Sequence, residues 1–241
     1  MIGLFLAAAL ALPPTAPPDI PPLRPRPTPP PAISPATMLA RYAAALAANP
    51  TPLVLSFEYS IDQAGLHDIQ ETHRVFRSGT SERDELLTAD GKVLNPPTIH
   101  IFLGHRNRYA LEALAPRPEA YTFRYVQSVR DGHHMDEVFA TTPRSATDIS
   151  DASIDRVVID GVTALPNTIK LVIPRYDGNV SITFGRVQKF WMVISAIATA
   201  TAEKSPSVEH LAFSRYRFPP SLEASTFATP RPLPSFAPPP F

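Results

Sequence analysis

Leu53-Val-Leu-Ser-Phe-Glu-Tyr-Ser-Ile61 places an apolar side chain at every odd position and Ser56, Glu58 and Ser60 at even ones. Successive side chains of a strand point to opposite faces, so this period of two describes one β-strand with an oily face and a wet face. Similar runs recur at 68–77, 81–88, 98–103, 107–114, 121–129, 135–141, 154–159, 168–174, 179–185, 189–201 and 208–218, which makes a dozen candidate strands. Asp90-Gly91, Asp131-Gly132, Asp160-Gly161 and Asp177-Gly178 fall between them. Asp-Gly supplies the positive φ that tight hairpin turns require, so sequential strands should pair antiparallel.

Upstream of the first strand the period changes to that of a helix. Ser34-Pro35 offers a capping oxygen followed by a proline preset for the first helical position, and Asn49-Pro50 supplies a stop. Between them Met38, Leu39, Tyr42, Ala45 and Leu46 share one face, which predicts an amphipathic helix over 36–48. A twisted antiparallel sheet with this many strands has to curl, close or be covered. The expected architecture is therefore mainly β: a curved antiparallel open half barrel with one N-terminal amphipathic helix as lid or plug.

Of the 30 prolines in 241 residues, twelve lie in 1–35 and eight in 219–241. The chain thus divides into a signal-peptide-like segment at 1–12, a proline-rich linker at 13–35, one β domain at 36–218 and a proline-rich C-terminal tail at 219–241. Met1–Leu12 is apolar and too short to span a bilayer, and Ala9-Leu10-Ala11 has the small-x-small pattern of a cleavage site, so export is expected. Lys+Arg and Asp+Glu both number 22, which disfavours nucleic acid as a partner. There is no cysteine, which excludes disulfide staples, thiolate metal sites, a catalytic thiol and an acylated lipoprotein cysteine.

Three further segments carry a family resemblance: Tyr121-Thr-Phe-Arg-Tyr125; Ile159-Asp-Gly-Val-Thr-Ala-Leu-Pro166 leading into Thr168-Ile-Lys-Leu-Val-Ile173; and Glu209-His-Leu-Ala-Phe-Ser-Arg-Tyr-Arg-Phe-Pro219. With the preceding order of export signal, helix and long meander, the chain resembles the LolA/LolB-type periplasmic lipoprotein carriers over roughly residues 36–220. The resemblance implies an incomplete barrel with a helical lid around a hydrophobic cavity for lipid or lipoprotein acyl chains. It assigns none of Arg74, Arg77 or Arg83 to that family's lid-locking arginine.

The candidate ligand-binding residues are Phe57, Tyr59, Tyr121, Phe123, Tyr125, Phe184, Trp191 and Phe213, with Met38, Leu39, Tyr42 and Leu46 as the lid. Large apolar side chains suit an acyl-chain cavity, because the gain grows with buried apolar area. The same rings could instead fill the core. His133-His134-Met-Asp136, His67/His73 and His100/His105 raise a metal site, but adjacent strand residues face opposite ways, His67 and His73 lie too far apart for one ion, and these histidines read as exposed turn and strand positions, so no metal is expected. No nucleophile elbow, phosphate loop, zincin or dinucleotide motif occurs, and Asp84/Glu85 and Asp136/Glu137 face apart, so no catalytic residue and no cofactor are expected. Arg106, Arg108, Arg117, Arg124 and Arg130 could form a rim for anionic headgroups or simply be solvated strand positions.

These readings make the chain a monomeric, periplasmic or otherwise extracytoplasmic carrier of lipid or lipoprotein acyl chains, with a membrane protein of the envelope as a further partner class. The alternative is a non-enzymatic cell-envelope interaction module with a filled core and proline-rich partner-binding tails.

Overall fold

The structure, a computed structural model, describes residues 33–65, 68–104, 107–145, 152–174, 177–202 and 205–228. The signal-like segment, most of the linker, most of the tail, and His67, His105 and Arg106 lie outside them.

Helix α1 (Pro35–Ala48) begins as its sequence dictates, with the Ser34 hydroxyl accepting from the Thr37 backbone N–H at 3.1 Å. Eleven strands follow: β1 (Val54–Ala64), β2 (Ile69–Ser78), β3 (Ser81–Ala89), β4 (Lys92–Phe102), β5 (Tyr121–Asp131), β6 (His134–Pro143), β7 (Ser153–Ile159), β8 (Pro166–Ile173), β9 (Gly178–Val187), β10 (Phe190–Ala202) and β11 (Ser205–Arg217). They form one open, curved antiparallel sheet in the order β4-β3-β2-β1-β11-β10-β9-β8-β7-β6-β5. The expected half barrel with its N-terminal helix is what the chain adopts.

One predicted strand is absent. Residues 107–114 form a single bridge, Ala110 to Met192, and a short helix α2 (Leu111–Leu114). The topology explains this. β4 and β5 are the two edges of the sheet, so residues 103–120 must travel from one edge to the other. Eleven strands about 4.8 Å apart would make a flat sheet about 48 Å wide. The segment has eighteen residues and spends four of them in a helix, so fully extended it would span that width with only a few Å to spare, and the curl of the sheet supplies the slack. Tyr109, Ala110 and Leu111, whose apolar character suggested a strand, bury themselves against the inner face during that crossing.

Other boundaries shift for local reasons. β4 begins at Lys92, six residues earlier than expected, and carries Pro96 and Pro97 because an edge strand need not donate from every N–H. At the β3–β4 hairpin Ala89 faces Lys92, and Asp90 and Gly91 both take positive φ (49° and 74°), as predicted. Asp160-Gly161 instead starts a longer loop, in which the Asp160 carboxylate accepts from the backbone of Val162 and Thr163 and from the Thr163 hydroxyl. Residues 219–228, assigned to the tail by their prolines, include a 3₁₀ turn at Ala224–Phe227 that contacts β3, where Arg83 donates to the Thr226 carbonyl.

The inner face of the sheet holds two apolar clusters. One joins Met38 and Tyr42 of α1 to Phe139, Val157, Ile159, Ile169, Phe184 and Val193, and the other gathers Leu55, Phe57, Val75, Tyr109, Phe190 and Met192.

Candidate functional site

All eight predicted aromatic residues belong to these two clusters, and they divide between them. Phe57 and Phe184 are fully buried, while Tyr59, Tyr121, Phe123, Tyr125, Trp191 and Phe213 are partly buried and pack against the clusters. On β5 the rings of Phe123 and Tyr125 meet Phe139 edge-on at 6.2 and 5.8 Å. Phe57 sits among Tyr109 (4.8 Å), Tyr216 (5.2 Å), Phe213 (5.9 Å) and Tyr59 (6.3 Å). Trp191 donates its indole N–H to the Pro166 carbonyl at 2.8 Å, satisfying its one polar atom.

The predicted lid residues cover the first cluster. Met38 and Tyr42 are fully buried, and Leu39 and Leu46 pack partly buried beside them. The Tyr42 ring stands edge-on to Phe123 at 5.8 Å, and its hydroxyl donates to the Pro116 carbonyl at 2.9 Å inside the protein. Burial of this phenol pushes its pKa far up, so it stays a donor at every physiological pH. A second link, from Arg41 to the Val162 carbonyl at 3.0 Å, lies at the surface.

Among the described residues the chain's own side chains thus fill much of the inner face. Four clefts of 310–440 Å³ open at the surface, and of the eight aromatics only Phe57 lines any of them. One lies between α1 and the crossing segment, with Leu46, Glu112 and Arg117 on its walls.

Beside the second cluster lies a polar network that residue spacing had not revealed. Arg77, only 1% exposed at its side chain, donates to Glu82 at 2.7 Å, and Arg108 reaches the other Glu82 oxygen at 2.9 Å while its guanidinium lies over the Tyr109 ring. His73 stacks on Tyr59, with centroids 4.5 Å apart, and contacts Asp84 through Nδ1 at 2.9 Å and Glu71 through Nε2 at 3.1 Å. Tyr59 donates to the second Asp84 oxygen at 3.0 Å. Both nitrogens of His73 face carboxylates, so the ring has no free lone pair with which to act as a base. Asp84 and its neighbour Glu85 face apart as predicted, Glu85 accepting instead from Arg83.

Burial opposes the charged imidazolium of His73, but the hydrogen bonds to Asp84 and Glu71 and their negative charges outweigh it, so its pKa lies above the ordinary histidine value. A raised folded-state pKa gives stability that is complete below the unfolded value, near 6.5, and is lost as pH rises through the folded value. Wild type should therefore exceed His73→Gln in unfolding temperature by more at pH 6 than at pH 9, as followed by circular dichroism. An equal difference at both pH values would exclude a charged His73.

The histidine motif gives a third arrangement. His133 is exposed at its turn, but His134 turns its Nε2 toward Asp136 (3.3 Å) and Asp160 (3.2 Å), with Asp131 at 4.0 Å. Burial raises the Asp136 pKa more than hydrogen bonds from Asn167 and Gly161 lower it. For Asp160 burial also acts upward, yet the donors Thr163 and Val162 prevail and its pKa falls below the ordinary value. Among the described residues, Asp131, His134 and Asp136 form a group that could hold a cation, their ligand atoms lying within 4.8 Å of one another.

Fold and site together define a class, the open antiparallel half barrel whose inner face is aromatic and covered by an N-terminal helix. Among solved structures, the chain is similar to a LolA superfamily protein from Nitrosomonas europaea at 9% identity, covering 82% of this chain and 99% of that one with a TM-score of 0.47. It is also similar to a DUF1329 family protein from Desulfovibrio piger (9% identity, 81% and 98% coverage, TM-score 0.48). A third is an outer membrane lipoprotein-sorting protein domain from Vibrio parahaemolyticus (14% identity, 78% and 95% coverage, TM-score 0.41). No protein-family model matches the chain, and no curated protein does.

Proposed function

We propose that the chain is an extracytoplasmic carrier that takes an acyl chain onto its inner face when α1 moves aside. The observation that carries this reading is the way the helix is held. Five apolar side chains of α1, Met38, Leu39, Tyr42, Ala45 and Leu46, pack into the cluster that holds the rings, and one buried hydrogen bond, Tyr42 to Pro116, latches them. Residues 49–53 join the helix to β1 and can act as its hinge.

The energies permit exchange. Burying Met38, Tyr42, Leu39 and Leu46 yields about 1.5–3 kcal/mol for each side chain fully buried, and two of the four are only partly so. A bound acyl chain gains about 0.8 kcal/mol per methylene, or about 10 kcal/mol for a chain of twelve to sixteen carbons. The ligand can therefore replace the helix on the same surface. The resemblance of the sequence to LolA/LolB-type carriers supports this reading, and the signal-like N-terminus supports an extracytoplasmic setting.

The test is lipid extraction of the purified chain followed by mass spectrometry, together with titration by a fluorescent fatty acid. Tyr42→Phe removes the latch and leaves the buried Pro116 carbonyl unpaired, at a cost of about 1–3 kcal/mol to the closed state. Probe affinity should rise by roughly 5- to 150-fold. Absence of extracted lipid, together with no probe binding by either protein, would overturn the carrier reading.

A second reading rests on the filled interior itself. Tyr42, Phe57, Phe139 and Phe184 are each no more than 2% exposed, which is the packing of a finished core. The failing outcome of the lipid test would favour this alternative, a cell-envelope interaction module that holds no ligand.

A further inference from the structure

The alternation of β11 breaks at one residue. Phe213 faces inward opposite Tyr59 and Ser214 faces outward opposite Glu58, so regular alternation would send Arg215 into the oily inner face. The register instead shifts between Ser56 and Glu58, so two residues of β11 oppose one of β1, and Arg215 takes a φ of 53°. The bulge has two results. Tyr216 now points inward, donating to the Val193 carbonyl at 2.6 Å, and Arg215 is delivered to the outer face.

A positive φ at a residue other than glycine, asparagine or aspartate is strained, and bulges commonly re-aim a side chain beside a functional site. On the outer face Arg215 meets two more arginines. Arg74 donates to one Glu58 oxygen from Nε (3.1 Å) and Nη2 (2.8 Å), and Arg215 donates to the other at 2.7 Å. Arg217, opposite Ser56, is exposed and has no hydrogen-bond or ion-pair partner among the described residues. Three guanidinium groups and one carboxylate thus line a cleft of about 360 Å³ whose apolar floor includes Phe76. Glu58 is buried and both its oxygens accept from arginine, so it orients two of the cations without facing a ligand.

We infer that this outer-face cleft at the β11 bulge is a phosphate-binding site, occupied by a phosphate group from either a lipid headgroup or a small soluble molecule. Guanidinium forks match phosphate geometry in pairs, and Arg74 and Arg215 are already positioned by Glu58. Three positive charges against one negative leave a surplus of two. A phosphate monoester carries about −1.5 to −2, which suits that surplus better than a single carboxylate does. Of the candidate ring residues Phe57 alone also lines this cleft, and the arginines that form the site belong to the outer face, so it stands whether or not the inner face takes an acyl chain.

The experiment uses the full chain and three probes: vesicles of phosphatidic acid in phosphatidylcholine, vesicles of phosphatidylcholine alone, and inorganic pyrophosphate followed by titration calorimetry. Binding of phosphatidic acid vesicles but not of pyrophosphate identifies a headgroup as the source. The reverse identifies a soluble phosphate. In either case added salt should weaken binding, and Arg217→Gln should weaken it at least tenfold. Arg217 has no partner to lose, so this variant should keep the wild-type unfolding temperature. Arg215→Gln should act in the same direction. Arg130→Gln, on the exposed side of β5, and Tyr42→Phe should leave phosphate binding unchanged. The proposal is overturned if wild type binds neither phosphate probe, or if binding survives Arg217→Gln and Arg215→Gln undiminished.

Discussion

Arg77→Ala should lower the unfolding free energy by about 3–5 kcal/mol, read as a fall in the urea midpoint with little change in slope. The guanidinium is 1% exposed and its partner Glu82 is 3% exposed. Two such charges leave water at a cost that their mutual attraction offsets only while both are present. Removing Arg77 leaves the Glu82 carboxylate buried, with Arg108 as its remaining cation. Arg108 is largely exposed, so its pull is weakened by solvent. The double variant Arg77→Leu/Glu82→Leu removes both charges and should recover most of the loss. A double variant as unstable as Arg77→Ala would show that packing, and not an unpaired charge, sets the cost.

Phe57→Ala should cost a similar amount, about 3–5 kcal/mol, by deleting a buried ring and leaving a hole. Phe57 is 1% exposed and touches four other aromatic rings across β1, β11 and the crossing segment, so the space it vacates has walls from three elements and cannot easily collapse. An apolar hole of that kind stays dry and accepts small apolar molecules. Saturating benzene or xenon should therefore restore part of the lost unfolding temperature in Phe57→Ala while leaving wild type unmoved. A loss under about 1 kcal/mol would mean that the cluster relaxes into the gap.

The strands were legible because burial of one sheet face imposes a period of two on the sequence, and the segment 53–61 carries it without interruption. The helix was legible for a parallel reason, since Ser34-Pro35 and Asn49-Pro50 mark its ends chemically. Positions where tertiary demand overrides local pattern were not legible. Tyr109 and Leu111 alternate like a strand, yet they serve a segment that must cross the whole sheet. Arg215 was unreadable because a bulge changes which face it meets, and no spacing rule announces a bulge. Arg77 and Glu82 could have been found: Gly79-Thr80 at the centre of a two-residue hairpin places Ser78 opposite Ser81 and therefore Arg77 opposite Glu82. The same count places Val75 opposite Asp84 and His73 opposite Leu86, so His73 and Asp84 are diagonal neighbours on one face before the register shifts at Thr72.

The pairing of β1 with β11 joins the earliest strand to the latest in mid-sheet, while the chain's midpoint supplies both outer margins. Every other ladder is a hairpin between consecutive strands, and such local pairings form first because little chain has to be looped. The central seam is the one ladder that must wait for the whole polypeptide. Two half-sheets, β1–β4 and β5–β11, thus become one molecule in a single late act of docking. Because α1 is tethered at β1, the helix is brought to its place by the same act that completes the surface beneath it.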